Sequence, residues 1–277
     1  MEHRDGYFAG VRDSAIYYQC WQPETECKAV LLVVHGLAEH SGRYMNVVNH
    51  FVPLGYAVYG LDHIGHGKSE GTRVYVDRFA EYTDTLKLYF DLIRLEHPDK
   101  PVFLIGHSMG GLIGALYLLE HQDELAGAVL SGPLIKMAGD ISPVVVFMGK
   151  LLSTLAPKVG LTALSAEGVS SDPAVVQAYV NDPLVHTGKI TARLAGELIA
   201  ATQRINADAA RITLPLLIVQ GSEDKLVDPA GAKLLYDAVS SGDKTLNIYE
   251  GFYHEVCNEP ECHQVLSDIE AWLGQRL

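Results

Sequence analysis

Basic residues are scarce. The chain has 21 lysines and arginines against 34 aspartates and glutamates, a formal net charge of −13. A surface of that sign repels phosphate backbones, which argues against nucleic acid as a partner. Cysteine is sparser still: Cys20, Cys27, Cys257 and Cys262 show none of the two-residue spacings of zinc sites. Free thiols in a reducing compartment are expected, not a disulfide framework. No uninterrupted apolar run is long enough to cross a membrane, because residues 141–161 are broken by Pro143, Lys150, Pro157 and Lys158. Residues 1–8 carry acids and no apolar stretch, so a cytoplasmic chain without a secretory signal is expected.

What is present is ample apolar material. In 277 residues 48% are hydrophobic, and a chain of that size removes about three quarters of its unfolded surface from water. Apolar runs at 29–34, 56–61, 102–105, 126–130 and 216–219 read as strands buried on both faces, and 244–249 as a further, alternating strand. Before them, residues 6–10 and 14–20 flank Arg12-Asp13 and suggest an antiparallel hairpin. Phe79, Tyr82, Leu86, Tyr89, Phe90 and Ile93 recur at helical steps in a segment that ends before Pro98. Strand and helix in alternation predict an α/β fold with a mostly parallel sheet flanked by helices. The rhythm lapses over 133–208, where helical patterns occur and no strand is evident. This stretch reads as a helical cap inserted into a core made of 1–132 and 209–277.

The chemistry gathers at the ends of these strands. Gly106-His107-Ser108-Met109-Gly110 joins an apolar strand to an apolar helix, the setting of a nucleophile elbow. Small residues flank Ser108 because the turn is tight and strained. A plain serine N-cap is the bland alternative. A serine needs a base, and the base an orienting carboxylate, in the chain order serine, acid, histidine. His121, His186 and His263 fall in helical or inserted segments, whereas His254 follows a strand in a loop and is the expected base. Asp224, in the loop after 216–219, is the expected acid. Glu223 remains an alternative, and Asp228 before Pro229 reads as a helix cap. The oxyanion of acyl transfer needs two backbone N–H donors, expected from Met109 and from Leu37 in the loop after strand 29–34. His63 and His66 lack a third partner for a metal and read as part of a glycine-rich turn. No metal or cofactor is expected.

Together His35-Gly-Leu-Ala-Glu-His-Ser-Gly-Arg-Tyr44, Asp62-His-Ile-Gly-His-Gly-Lys-Ser-Glu-Gly71, the elbow and Ile248-Tyr-Glu-Gly-Phe-Tyr-His254 resemble the monoacylglycerol lipase family of α/β-hydrolases over nearly the whole chain. The resemblance implies the α/β-hydrolase fold, an acyl tunnel under the cap, and hydrolysis of a monoglyceride to fatty acid and glycerol. It also implies that Glu39, Arg43 and Tyr179 lie near the glycerol end, although Glu39 and Arg43 can equally pair with each other to brace the oxyanion loop. Some relatives carry a second histidine where this chain has Cys257, a departure at the same end.

Competing substrates on the same triad are lysophospholipids, simple carboxylic esters and acyl-CoA thioesters. A non-enzymatic binding protein would have no need of Ser108, Asp224 and His254 together. In the cap, Ser142 and Pro143 are set to open a helix that stops before Pro157. Val144, Val145, Met148, Leu151, Leu152 and Leu155 share its apolar face, and Ser153 and Thr154 point away. Leu152 is the expected acyl-tunnel residue on that face, with core packing as the alternative. Phe147, on the flank, is free to touch a lipid surface.

Overall fold

The computed structural model describes residues 1–137 and 151–277. Eight strands form one sheet: β1 (Glu2–Ala9), β2 (Ala15–Gln22), β3 (Ala29–Val34), β4 (Tyr56–Leu61), β5 (Val102–His107), β6 (Gly127–Ser131), β9 (Leu216–Gly221) and β10 (Lys244–Tyr249). Their spatial order is β1-β2-β4-β3-β5-β6-β9-β10. The first two form the expected antiparallel hairpin, β2 pairs antiparallel with β4, and every pair from β4 to β10 is parallel. Two residues at the hairpin turn, Arg12 and Asp13, take left-handed backbone angles.

The continuous apolar strands are explained by two cores. On β3, Val30, Leu32 and Val34 face one cluster and Ala29, Leu31 and Val33 face the other. The first cluster is closed by α2 (Ala80–Glu96), α3 (Met109–His121), α5 (Ala192–Asp208) and α6 (Ala230–Ala238). The second is closed by α1 (Met45–Phe51) and α7 (Cys262–Gly274). A parallel sheet covered on both faces needs this apolar run without alternation. The result is the α/β-hydrolase fold.

Between β6 and β9 the chain leaves the sheet. Here the expectation of no strand is corrected, because β7 (Gly160–Ala163) and β8 (Lys189–Thr191) pair antiparallel in a separate small sheet. They are only four and three residues long, too short for a periodic signal. Also in this excursion is α4 (Pro173–Asn181), whose N-cap Asp172 accepts from the Ala174 N–H.

Of the helix expected to open at Ser142 and Pro143, the positions Val144, Val145, Phe147 and Met148 lie outside the described residues. Residues 151–155 are helical, but their buried side differs from the expected one. Leu151 and Leu155 are 43% and 73% exposed, while Ser153 is buried. A Cβ added at Gly196 of α5 would come within 2.8 Å of Ser153 Oγ. Close approach of two backbones selects small residues, and a pattern that counts only apolar side chains points to the wrong face.

Candidate functional site

Ser108 sits where β5 becomes α3, with φ 53° and ψ −118°, a conformation few non-glycine residues adopt. The turn is held by the Ser108 N–H donating to the Ser131 carbonyl on β6 at 2.9 Å, while Leu134 N–H donates to the Ser108 carbonyl at 3.1 Å. Glycine is obligatory at Gly110, where a Cβ would lie 2.0 Å from the Val34 carbonyl oxygen. Strain of this kind, of order 1–3 kcal/mol, persists only where its surroundings impose it.

Asp224 and His254 come from the loops after β9 and β10, which run side by side in register. His254 Nδ1 lies 2.7 Å from Asp224 Oδ2. The same oxygen takes a hydrogen bond from Gln220 Nε2 at 2.8 Å, and Oδ1 accepts from the N–H groups of Leu226 and Val227 at 2.9 and 3.0 Å. Burial works against the charge on Asp224. The hydrogen bonds from His254, Val227 and Leu226 outweigh it and hold the carboxyl below the usual range. Asp224 is therefore an anion that orients the ring, leaving His254 Nε2 as the free nitrogen.

Asp228 has a different environment. One oxygen accepts from Ala230 N–H at 2.9 Å at the start of α6, and the other pairs with Lys136 Nζ at 2.6 Å. The helix opens one residue later than the sequence suggests, at Ala230 instead of Pro229.

Leu37 and Met109 frame the elbow from two directions. Met109 opens α3, so its N–H is one of those a helix leaves without an intrahelical acceptor. Leu37 is reached through His35, whose Nδ1 lies 2.7 Å from the Gly36 carbonyl oxygen. In a trans peptide the C=O and the following N–H point in opposite directions, so this bond turns the Leu37 N–H away from His35. The far nitrogen, His35 Nε2, accepts from the His63 N–H at 2.9 Å. The His63 ring packs at a tilt against that of His35, with centroids 4.2 Å apart, and His66 completes the buried group.

Glu39 Oε1 accepts the Gly36 N–H at 2.7 Å and the Tyr44 hydroxyl at 2.8 Å, and Oε2 accepts from Arg43 at 2.8 Å. The guanidinium also lies 4.7 Å from the centre of the Tyr179 ring. Arg43 is tied further to a residue the sequence reading overlooked, Glu255, next to His254. Burial raises the pKa of the Glu255 carboxyl, but Arg43 more than offsets it, and the group is held below its ordinary range. No local sequence signal marks Glu255, because its role follows from a guanidinium whose fork accommodates a second carboxylate 212 residues away.

An apolar cavity of about 630 Å³, open mouth included, rises from this floor. Ser108, His254, Leu37, Glu39 and Tyr179 line it, with Leu164, Val169, Ile190 and Leu198 from the excursion between β6 and β9. Leu152 is half-buried and is not among the residues lining this cavity. His107 is also in the wall, its ring 4.6 Å from that of His254. Burial, then the nearness of His254, pushes its pKa down and keeps it neutral.

Among the described residues no helix is long and apolar enough to cross a membrane. The chain is 43% identical to a monoacylglycerol lipase of Mycolicibacterium smegmatis over 98% of this chain and 96% of that one. To the monoglyceride lipase of Mus musculus it is 36% identical, over 95% and 88% of the two chains. A crystal structure of a monoacylglycerol lipase from Paleococcus ferrophilus covers the full length of both chains, at 30% identity and a TM-score of 0.82. The Hydrolase_4 family, described as serine aminopeptidase, S33, matches residues 25–261. With that match and those relatives, the chain belongs to the monoacylglycerol lipase family of α/β-hydrolases.

Proposed function

We propose that this protein hydrolyses the ester bond of monoacylglycerols to fatty acid and glycerol through an acyl-enzyme. The observation that carries the reading is the 2.7 Å Asp224–His254 hydrogen bond beside a strained Ser108 at the floor of an apolar cavity. In this mechanism Ser108 Oγ attacks the ester carbon and His254 Nε2 takes its proton. Asp224 stabilises the imidazolium, and the N–H groups of Leu37 and Met109 receive the developing oxyanion. His254 then protonates the departing glycerol, and water repeats the sequence on the acyl-enzyme.

Within the insertion expected over 133–208, the described residues 151–191 serve as the cap while α5 packs with the sheet core, and the acyl chain lies against the apolar cavity wall between them. Glu39 and Tyr179 stand at the polar end, and Arg43 serves glycerol recognition by holding both. The exposed Leu151, Leu155 and Val180 of the cap support transient contact with a lipid surface.

A panel of monoacylglycerols, diacylglycerols, lysophospholipids and p-nitrophenyl esters tests the assignment, alongside a fluorophosphonate label mapped by mass spectrometry. Monoacylglycerol is expected to lead in kcat/KM, with the label on Ser108 and no turnover by Ser108→Ala. A lead by lysophospholipid moves the substrate, and a label elsewhere removes the mechanism.

A further inference from the structure

The oxyanion loop is not held by the core alone. Ala38, directly after Leu37, has φ +67°, in the left-handed region that a residue with a Cβ disfavours. Its carbonyl oxygen accepts the His186 N–H at 2.8 Å, a bond from the cap to the loop. Two residues on, His40 Nε2 lies 2.8 Å from Asp182 Oδ2, again across the same boundary. His40 Nδ1 accepts the Gly42 N–H at 3.1 Å, so the ring proton belongs on Nε2 and is donated to Asp182. Asp182 Oδ1 is occupied by the Leu184 N–H at 2.8 Å. The carboxylate thus ties together its own turn and the oxyanion loop. This turn directly follows α4, the helix that carries Tyr179 into the cavity.

Building on the serine-esterase reading, we propose that Asp182 and His40 are positioning residues: they fasten cap residues 182–186 to the loop and so hold the Leu37 N–H where the oxyanion forms. Without the clasp, Ala38 is free to relax out of its left-handed conformation. That relaxation turns the Leu37–Ala38 peptide and shifts the Leu37 Cα, and through it displaces the Gly36–Leu37 peptide that bears the N–H and that His35 holds from the other side. Oxyanion donors act through pre-set geometry, and misplacement by about 1 Å costs on the order of 100-fold in rate.

The test uses the full chain and p-nitrophenyl butyrate, with phenylboronic acid as a tetrahedral adduct of Ser108. Asp182→Ala and His40→Ala are each expected to lower kcat about 10- to 100-fold, with KM within about twofold and boronate Ki rising in parallel with the loss of kcat. Asp182→Asn keeps an acceptor for His40 Nε2–H and should recover most of the loss. The double variant should be no slower than either single one, since both remove one contact. Normal kcat and Ki in Asp182→Ala, or losses that multiply in the double variant, overturn the inference. So does a uniform loss that tracks thermal unfolding and is not recovered by Asp182→Asn. Absence of turnover in the unmodified protein with Ser108 unlabelled by fluorophosphonate would instead count against the esterase reading beneath it.

Discussion

Arg43 donates to both oxygens of Glu255, at 2.6 and 2.8 Å, across 212 residues of sequence. The pair joins the loop that carries Leu37 to the loop that carries His254. Because the guanidinium also reaches Glu39 and Tyr179, one buried cation holds two carboxylates and a ring at the polar end of the cavity. Without it, two buried carboxylates would lose their counter-charge.

Arg43→Ala should therefore destabilise the fold by about 3–5 kcal/mol, the cost of leaving buried charge uncompensated. Arg43→Lys should recover only part of that, since an ammonium has no planar fork and stacks less well on an aromatic ring. Urea unfolding at neutral pH measures both. A loss below about 1 kcal/mol for Arg43→Ala, the range of an exposed pair, would mean that the site does not depend on this cation.

Asp224→Asn and Asp228→Asn should separate cleanly. Under the proposed mechanism the first removes the anion that stabilises the histidinium and lowers kcat by about 10⁴. The second weakens a capping hydrogen bond and an ion pair, for about 1 kcal/mol of stability and little change in turnover. Steady-state kinetics on one short ester decides it. The reverse ranking would move the acid to Asp228.

Much of this site is legible in sequence because its parts are local. Strand, Gly106, Ser108, Gly110 and helix are contiguous, and β3, β4 and β10 run between the residues their apolar patterns predict. The chain order of serine, acid and histidine, together with placement in loops after strands, then points to His254 and to Asp224, with Glu223 left as an alternative acid. What stayed hidden is made by contacts distant in sequence. Glu255 acquires meaning only when Arg43 faces it, Gln220 only when its amide meets Asp224, and Asp182 only when the cap meets His40. The burial of Ser153 follows from the approach of Gly196, and hydrophobic periodicity does not register small residues at close contacts.

The histidine cluster behind the loop that carries Leu37 predicts acid sensitivity. Burial is the first cause that pushes His63 down to about 3 and His66 down to about 4 from an ordinary value of 6.5, and burial likewise holds His35 well below it. Between these values the unfolded chain binds more protons than the folded one, so stability is complete above about pH 6.5 and falls as pH drops toward 4. Each such histidine adds about 1.4 kcal/mol per pH unit to the slope inside the window. His66→Gln should flatten that slope by about one proton between pH 4.5 and 6, read from urea midpoints along a pH series. An unchanged slope would mean that His66 takes up a proton in the folded state.

Acyl-chain selection provides the final prediction, and it separates two candidate walls for the chain. Leu164 follows β7 and lines the cavity, half-buried, so a larger side chain there can fill acyl space without opening the sheet core. Leu152 lies outside that lining. Each methylene removed from water contributes about 0.8 kcal/mol, or about fourfold in kcat/KM. Blocking the space for three or four methylenes should thus cost long chains on the order of 100-fold while sparing short ones. We expect Leu164→Trp to lower kcat/KM for long-chain monoacylglycerols far more than for those with four-carbon chains. Leu152→Trp should change both by a similar factor. A chain-length series from four to eighteen carbons on the two variants supplies the comparison. If Leu152→Trp discriminates by length and Leu164→Trp does not, the acyl chain runs along the helix containing residues 151–155, and the cavity above Ser108 serves some other part of the substrate.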